Sequence, residues 1–295
     1  VAHHRRGPPR AGPVVAARTC QLMRVALTGA SGIVGGFVRA ALLRAGHRVT
    51  PLDRAHGWQL GQPAPLKRHD ALIHCAFAHA PGRYRGGEGD DPPGFVRANL
   101  DGTRSLFDQA ADQGVGRILF LSSRAVHDGY PAGTRLADGL PPAPTSLYGE
   151  VKAQAEAHLA ALRPHGLATC ALRATGVYGP GPANKWRGLF ADHIAGRPVE
   201  PRVATEVHAD DLARALVLLL DHPAPPPSLN CSDLILDRHD LLALVDSPHP
   251  PPPRADPSGL RVPDCSGLML AGWRPGGMAL LRSTVPAMLD AAADL

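Results

Sequence analysis

The 295 residues, 44% of them hydrophobic, suffice for one large domain or for a nucleotide-binding domain with a smaller partner, built around a sizeable core. The formal charge of +5 is concentrated at the start, where His3, His4, Arg5, Arg6, Arg10, Arg18 and Arg24 occur with no acidic residue among them; beyond this short arm nothing favours a nucleic-acid partner. Cys20, Cys75, Cys170, Cys231 and Cys265 form no CxxC pair, which argues against a metal site and a disulfide framework and for a reducing cytoplasm, and no apolar run of about 18 residues predicts a membrane span.

In chain order, residues 1–22 carry Pro and Gly and no apolar helical period, so they are read as a disordered basic leader, with Met23 as an alternative start. From Met23, short β-branched or apolar runs alternate with longer helical stretches. Strands are expected at 24–28, 47–52, 71–75, 117–122 and 168–173, and helices at 33–45, 95–113, 147–162 and 210–220. Nearly continuous apolar runs such as ILFL fit a parallel sheet buried on both faces. The expected fold is therefore α/β, a Rossmann-type doubly wound parallel sheet over residues 23–173. Residues 174–295, rich in Gly and Pro, are expected to form a smaller substrate-binding region, with 206–230 returning to the sheet.

The first strand runs into TGASGIVG, residues 28–35, and then into a helix. In that context Gly29, Gly32 and Gly35 permit a tight turn, a close backbone approach to a pyrophosphate and close helix packing, while the N–H groups of Ser31 to Ile33 open the helix toward an anion. The same glycines could make a tight turn with no ligand. Asp53, 24 residues beyond Gly29 at the end of the second strand, suits a ribose 2′-hydroxyl and repels a 2′-phosphate, which favours NAD over NADP. Arg54 beside it pulls the other way, since a guanidinium accepts a 2′-phosphate or lies on adenine.

Two further pieces sit where strands of this sheet should end. LSS closes the fourth strand at Ser123, and Tyr148 and Lys152 lie four apart on the next helix, sharing one face. A phenol is a poor base near neutral pH, but a neighbouring ammonium stabilises the phenolate, and a Ser hydroxyl can orient the substrate oxygen. TGASGIVG, LIHCAF, NLDGT, LSSRAV, YGEVK, LRATGVYGPG, HADDLA and LAGWRP, in this order, resemble the extended short-chain dehydrogenase/reductase family, the NAD-dependent epimerase/dehydratases.

The resemblance implies Gly29, Gly32 and Gly35 at the pyrophosphate, with Ser31, Ile33, Asp53, Arg54 and Ala76 also at the cofactor, and Tyr148 and Lys152 at the nicotinamide ribose. It implies Ser123, 25 residues before Tyr148, as the catalytic hydroxyl, leaving Ser122 structural, and Asn99 as a helix residue supporting the site. For Asn99 the alternative is a polar group satisfied by backbone. A homodimer through the helices at 95–113 and 147–162 is likewise implied.

The chain departs from the family at several positions. Arg124 and Ala125 stand where dehydratases carry an acidic pair, which disfavours elimination. Gly176 replaces an Asn that holds the diphosphate in nucleotide-sugar epimerases; Arg202 lies two residues from the expected phosphate-binding Arg, and Arg254 matches another. The expected function is oxidation or epimerisation of a hydroxyl on a sugar or nucleotide-sugar through a Ser123/Tyr148/Lys152 relay. The alternatives are a small sugar or sugar-acid dehydrogenase without nucleotide recognition, and a dinucleotide sensor without catalysis.

Overall fold

The computed structural model describes residues 22–79 and 88–293, so nearly all of the expected leader lies outside the described residues. Strand β1 (Arg24–Thr28) is followed by α1 (Ile33–Arg44), β2 (Arg48–Leu52), β3 (Ala71–His74), α2 (Pro92–Val96), α3 (Gly102–Asp112) and β4 (Arg117–Ser123). Then come β5 (Arg135–Leu136), α4 (Leu147–Ala161), β6 (Ala168–Ala174), β7 (Gly176–Tyr178), α5 (Arg187–Ile194), β8 (Val203–His208) and α6 (Ala209–Leu220). The chain finishes with β9 (Ser228–Cys231), β10 (Leu234–Asp237), α7 (Arg238–Leu242), β11 (Val262–Pro263), α8 (Ser266–Leu270) and α9 (Gly277–Ala293).

A six-stranded sheet in the order β2-β1-β3-β4-β6-β9, parallel throughout, forms the centre. Alternate strand residues feed two cores. Val25, Leu27, Leu119 and Leu172 pack with Val38 and Leu42 of α1 and Leu212 and Leu216 of α6 on one face. Ala26, Ile118, Phe120 and Ala171 pack with Leu106 and Phe107 of α3 and Val151 and Leu159 of α4 on the other. Burial on both faces is why these strands read as continuous apolar runs. A separate core around Tyr178, Phe190, Leu242 and Leu281 lies under the small sheet β10-β8-β7, beyond the carboxyl end of β6. Among the described residues no helix is long and apolar enough to cross a membrane.

One expected helix is interrupted. The single helix expected over 95–113 is broken into α2, a π-helical turn at Arg97–Asp101, and α3. Asn99 accounts for the break: its amide donates to Phe95 O (3.0 Å) and Ala78 O (2.7 Å) and accepts from Ala78 N (2.7 Å), tying the turn to the segment after β3. Such single-turn π insertions concentrate at functional sites. The sheet's edge follows the sequence reading, which placed no strand between 52 and 71. In the usual doubly wound order a strand lies outside β2, whereas here the chain returns from Leu52 to β3 without making one, so β2 is the edge and its Pro51 costs no ladder bond there. The connecting segment is held instead by α3 and the residue after it, Gln113, which accepts from Leu66 N (2.9 Å) and donates to Ala64 O (2.9 Å).

Candidate active site

At the carboxyl end of β1, Gly29 has φ +69° and a Cβ there would lie 2.8 Å from Ala76 N, while a Cβ at Gly35 would lie 1.9 Å from Gly29 O. Packing alone therefore demands both glycines. What packing leaves over is informative: Ser31 and Gly32 are exposed, and α1 starts from Gly32 with no side-chain cap, the arrangement that an anion at a helix N-terminus requires. Asp53 is buried behind the loop. Its Oδ2 accepts from Ser31 N (2.8 Å), and its Oδ1 accepts from His56 N (3.1 Å) and pairs with His56 Nδ1 (2.7 Å). Burial works to raise its pKa, but the hydrogen bonds from His56 and Ser31 outweigh it and hold the carboxyl below its usual value. Asp53 thus fixes the glycine loop to β2, and Arg54 beside it is exposed.

Below this loop, Thr28 Oγ1 accepts from Cys75 N (3.2 Å) and Ala76 N (3.1 Å), leaving its own proton for His74 Nδ1 at 2.6 Å. His74 Nε2 then carries the other proton and donates to Thr103 Oγ1 (2.9 Å). The ring is fully buried, and desolvation, helped by the charge of Lys152, takes its pKa down to about 3. A neutral His locked in one tautomer is a brace for the strand end carrying Ala76, with no proton to offer a substrate.

The residues expected to form a relay come from β4 and α4. Ser123 ends β4 and caps the short turn Arg124–His127, accepting from Ala125 N at 3.2 Å. Helix α4 starts at a Ser146 cap (Gly149 N to Oγ, 3.2 Å), and a Cβ on Gly149 would lie 2.7 Å from Ala125 O. Gly149 is therefore what lets the helix bearing Tyr148 rest on the turn bearing Ser123, a site-building residue that the sequence reading passed over although it sits inside YGEVK.

Lys152 is 4% exposed and donates from Nζ to Leu121 O (2.8 Å), with Nζ 4.3 Å from the Phe77 ring centroid, 4.6 Å from Phe120 and 5.9 Å from Tyr148. Desolvation takes its pKa down to about 7, against the pull of Cys75 and Glu156. Glu156, one turn further along α4, is engaged elsewhere: it accepts from Ser122 Oγ and from Arg173 Nε (3.1 Å) and Nη2 (2.7 Å), all buried. Ser122 thus has a structural partner, and Phe77, Glu156 and Arg173 join the residues that support the site.

The expected substrate residues separate. Arg254 lies on the surface, with Nη1 and Nη2 on the Asp240 carboxylate at 2.8 and 2.6 Å. Arg202 lies within electrostatic reach of a pair that the sequence did not disclose, Lys185 with Glu206, placed against Gly176. Arg124, at the position where an acid was expected of a dehydratase, pairs with Asp128 (2.8 Å). Among the described residues no group of His, Cys, Asp and Glu converges to hold a metal.

The profile of the NAD dependent epimerase/dehydratase family matches residues 25–231. A UDP-glucose 4-epimerase of Vibrio cholerae is 28% identical over 240 residues, which is 74% of this chain and 71% of that protein. A dTDP-glucose 4,6-dehydratase of Streptomyces niveus is 30% identical over 189 residues, which is 54% of this chain and 55% of that relative. The UDP-glucose 4-epimerase of Thermus thermophilus in complex with NAD has a TM-score of 0.69 at 25% identity, covering 92% of this chain and 99% of that one. RMD from Pseudomonas aeruginosa complexed with NADPH shares the fold, with a TM-score of 0.74 at 22% identity over 92% of this chain and all of that one. The chain belongs to the NAD dependent epimerase/dehydratase family and is an oxidoreductase or epimerase.

Proposed function

We propose that the protein oxidises or epimerises a hydroxyl of a sugar or nucleotide-sugar, with NAD bound across the carboxyl ends of β1 and β4. The observation that carries this reading is Lys152: a lysine buried on the same helix face as Tyr148, beside Ser123's strand, with its neighbouring carboxylate held by Arg173. Fit to NAD rests on the uncapped start of α1, the glycine packing at 29 and 35, and the ionised Asp53 at the end of β2. Gly29, Ser31, Gly32, Ile33 and Gly35 would hold the pyrophosphate, Asp53 and Arg54 the adenosine ribose, Ala76 the floor, and Tyr148 and Lys152 the nicotinamide ribose. Asn99 acts through the segment after β3 that it ties down. Residues 23–173 then carry the cofactor and 174–295 mainly the substrate.

NAD, when bound, supplies the hydride acceptor. The chain supplies the proton path: Ser123 Oγ orients the substrate oxygen, Tyr148 as phenolate takes the hydroxyl proton, and the Lys152 ammonium favours that phenolate. Arg124 and Ala125 place no acid beside Ser123, so the chemistry ends at the ketone or its return to alcohol rather than at loss of water. Replacing Tyr148 by Phe tests this: turnover of a substrate panel falls by about 10²–10⁴-fold while NAD affinity persists, and retained turnover ends the assignment.

Within this reading a small sugar or sugar acid is favoured over a nucleotide-sugar by two observations. Arg254 is already committed to Asp240, and Gly176 offers no side chain to a diphosphate. A homodimer through the outer faces of α3 and α4 completes the proposal, and sedimentation of the full chain at two concentrations checks it.

A further inference from the structure

Lys185 and Glu206 form an ion pair between the loop preceding α5 and strand β8. Their place in the fold is set by register. Ala174 of β6 pairs with Ser123 of β4, so Gly176, two residues on, lies just past the sheet end where Ser123 lies. In β7, Gly176 pairs in turn with Glu206 of β8. A Cβ at Gly176 would lie 2.3 Å from Glu206 Oε2 and 2.6 Å from Lys185 Nζ, so the pair fills the volume that any larger residue at 176 would claim.

The pair is asymmetric. The Glu206 side chain is 8% exposed and that of Lys185 30%, so the lysine is the more accessible partner. An ammonium has three protons, and one directed at Glu206 leaves two. The Trp186 ring lies 5.3 Å from Nζ and is itself stacked on buried Tyr178 (4.9 Å), which restricts where the ammonium can go. Arg202 is near enough to favour the ionised Glu206 and to disfavour the charged Lys185.

We infer that Lys185, held over Gly176 by Glu206 and backed by Arg202, is the seat for an oxyanion of the substrate, a sugar carboxylate or a phosphate. The inference rests on the reading of Ser123, Tyr148 and Lys152 as the reacting end. One half of the substrate places its hydroxyl at Ser123, and the anionic half meets Lys185 past the same sheet end.

Calorimetric titration of the NAD-loaded protein with glucose, glucuronate, glucose 1-phosphate and UDP-glucose tests the seat. At least one anionic ligand should bind about tenfold to a hundredfold more tightly than glucose, the range of a charge-assisted hydrogen bond. Preference for glucuronate names a carboxylate as the occupant, and preference for the phosphorylated pair names a phosphate. The double variant Lys185→Met with Glu206→Gln, which leaves no buried carboxylate unpaired, should lose that preference while NAD binding persists. Should the double variant fail to bind NAD, Trp186 emission in the otherwise unaltered chain gives the answer: anions quench it, glucose does not, and Trp186→Phe removes the response. No anionic preference in the parent protein, a preference that survives the double variant, or no anion-specific quenching overturns the inference. The same panel with Tyr148→Phe separates the two readings: turnover retained there removes the relay but leaves an anion seat standing, whereas turnover lost there with no anion preference removes the seat alone.

Discussion

Lys152, against the end of β4, and Lys185, against Gly176 just past β6, are built in opposite ways. Lys152 is almost fully buried among Phe77, Phe120 and Tyr148, and it donates to the Leu121 carbonyl. Lys185 keeps nearly a third of its side chain in solvent and has a carboxylate of its own. Desolvation beside a neutral carbonyl poises the first near neutrality, at about 7, where its charge responds to whatever binds beside it. In the second, Glu206 opposes the desolvation that pulls the pKa down. One lysine is suited to tune a neighbouring phenol, the other to hold a fixed anion.

The largest test of this contrast is Lys152→Met. Turnover should fall by about 10²–10⁴-fold, the span of general acid–base effects, and Lys152→Arg should not restore it, because a planar guanidinium does not fit between Phe77 and Phe120 and does not titrate near neutrality. Steady-state kinetics with the substrate panel measures both; recovery by Arg would mean that charge alone matters.

Next comes Arg173→Met, which converts the first lysine toward the second. It frees Glu156 from its buried guanidinium, one helical turn from Lys152. Urea unfolding should show a loss of about 3–5 kcal/mol, the cost of orphaning one member of a buried pair, unless Lys152 moves to serve Glu156. A loss well under that range, with the Lys152 pKa raised, would show that the pairing has been exchanged. Glu206→Gln should cost less, about 1–3 kcal/mol by the same measurement, because the Lys185 side chain is partly exposed whereas Arg173 and Glu156 are both buried.

These pairs also mark what the sequence could disclose. The shared face of Tyr148 and Lys152 was legible because they lie within one helix, where a spacing of four fixes it, and α4 begins at Leu147 as the pattern predicts. The glycine loop was legible for the same local reason. The Lys185–Glu206 pair was not: Lys185 stands in a Gly- and Pro-rich stretch with no period, and its partner is reached only through the register of β7 on β8. Arg254 carried a spacing that suggested phosphate, and a carboxylate 14 residues earlier captures it. Asn99 read as a candidate helper within a continuous helix, yet its hydrogen bonds to Ala78 break that helix. The available signal was a charged residue in an apolar context: Arg173 in ATCALRA and Glu206 in VATEVH each required a buried partner.

The smallest expected effect is in the pH dependence of stability of the NAD-free protein, where two buried groups act in adjoining windows with opposite sign. Asp233, close to Glu206, has its carboxyl pushed up to about 7 by burial first and by neighbouring acids such as Glu206. Between 3.8 and 7 the unfolded chain has released this proton and the folded chain still holds it, so the contribution is whole at low pH and is lost as pH rises through 7. Lys152 does the reverse: between 7 and 10.5 the unfolded chain holds a proton that the folded chain has released, so stability rises with pH across that span. Urea midpoints should therefore decline toward neutral pH and recover above it. Asp233→Asn should flatten the decline, gaining about 1 kcal/mol at pH 8 relative to pH 5 at an effective dielectric well above that of dry protein, and Lys152→Met should flatten only the recovery. A recovery that persists without Lys152 would show that its amine stays charged in the folded chain, which would remove the distinction between the two lysines.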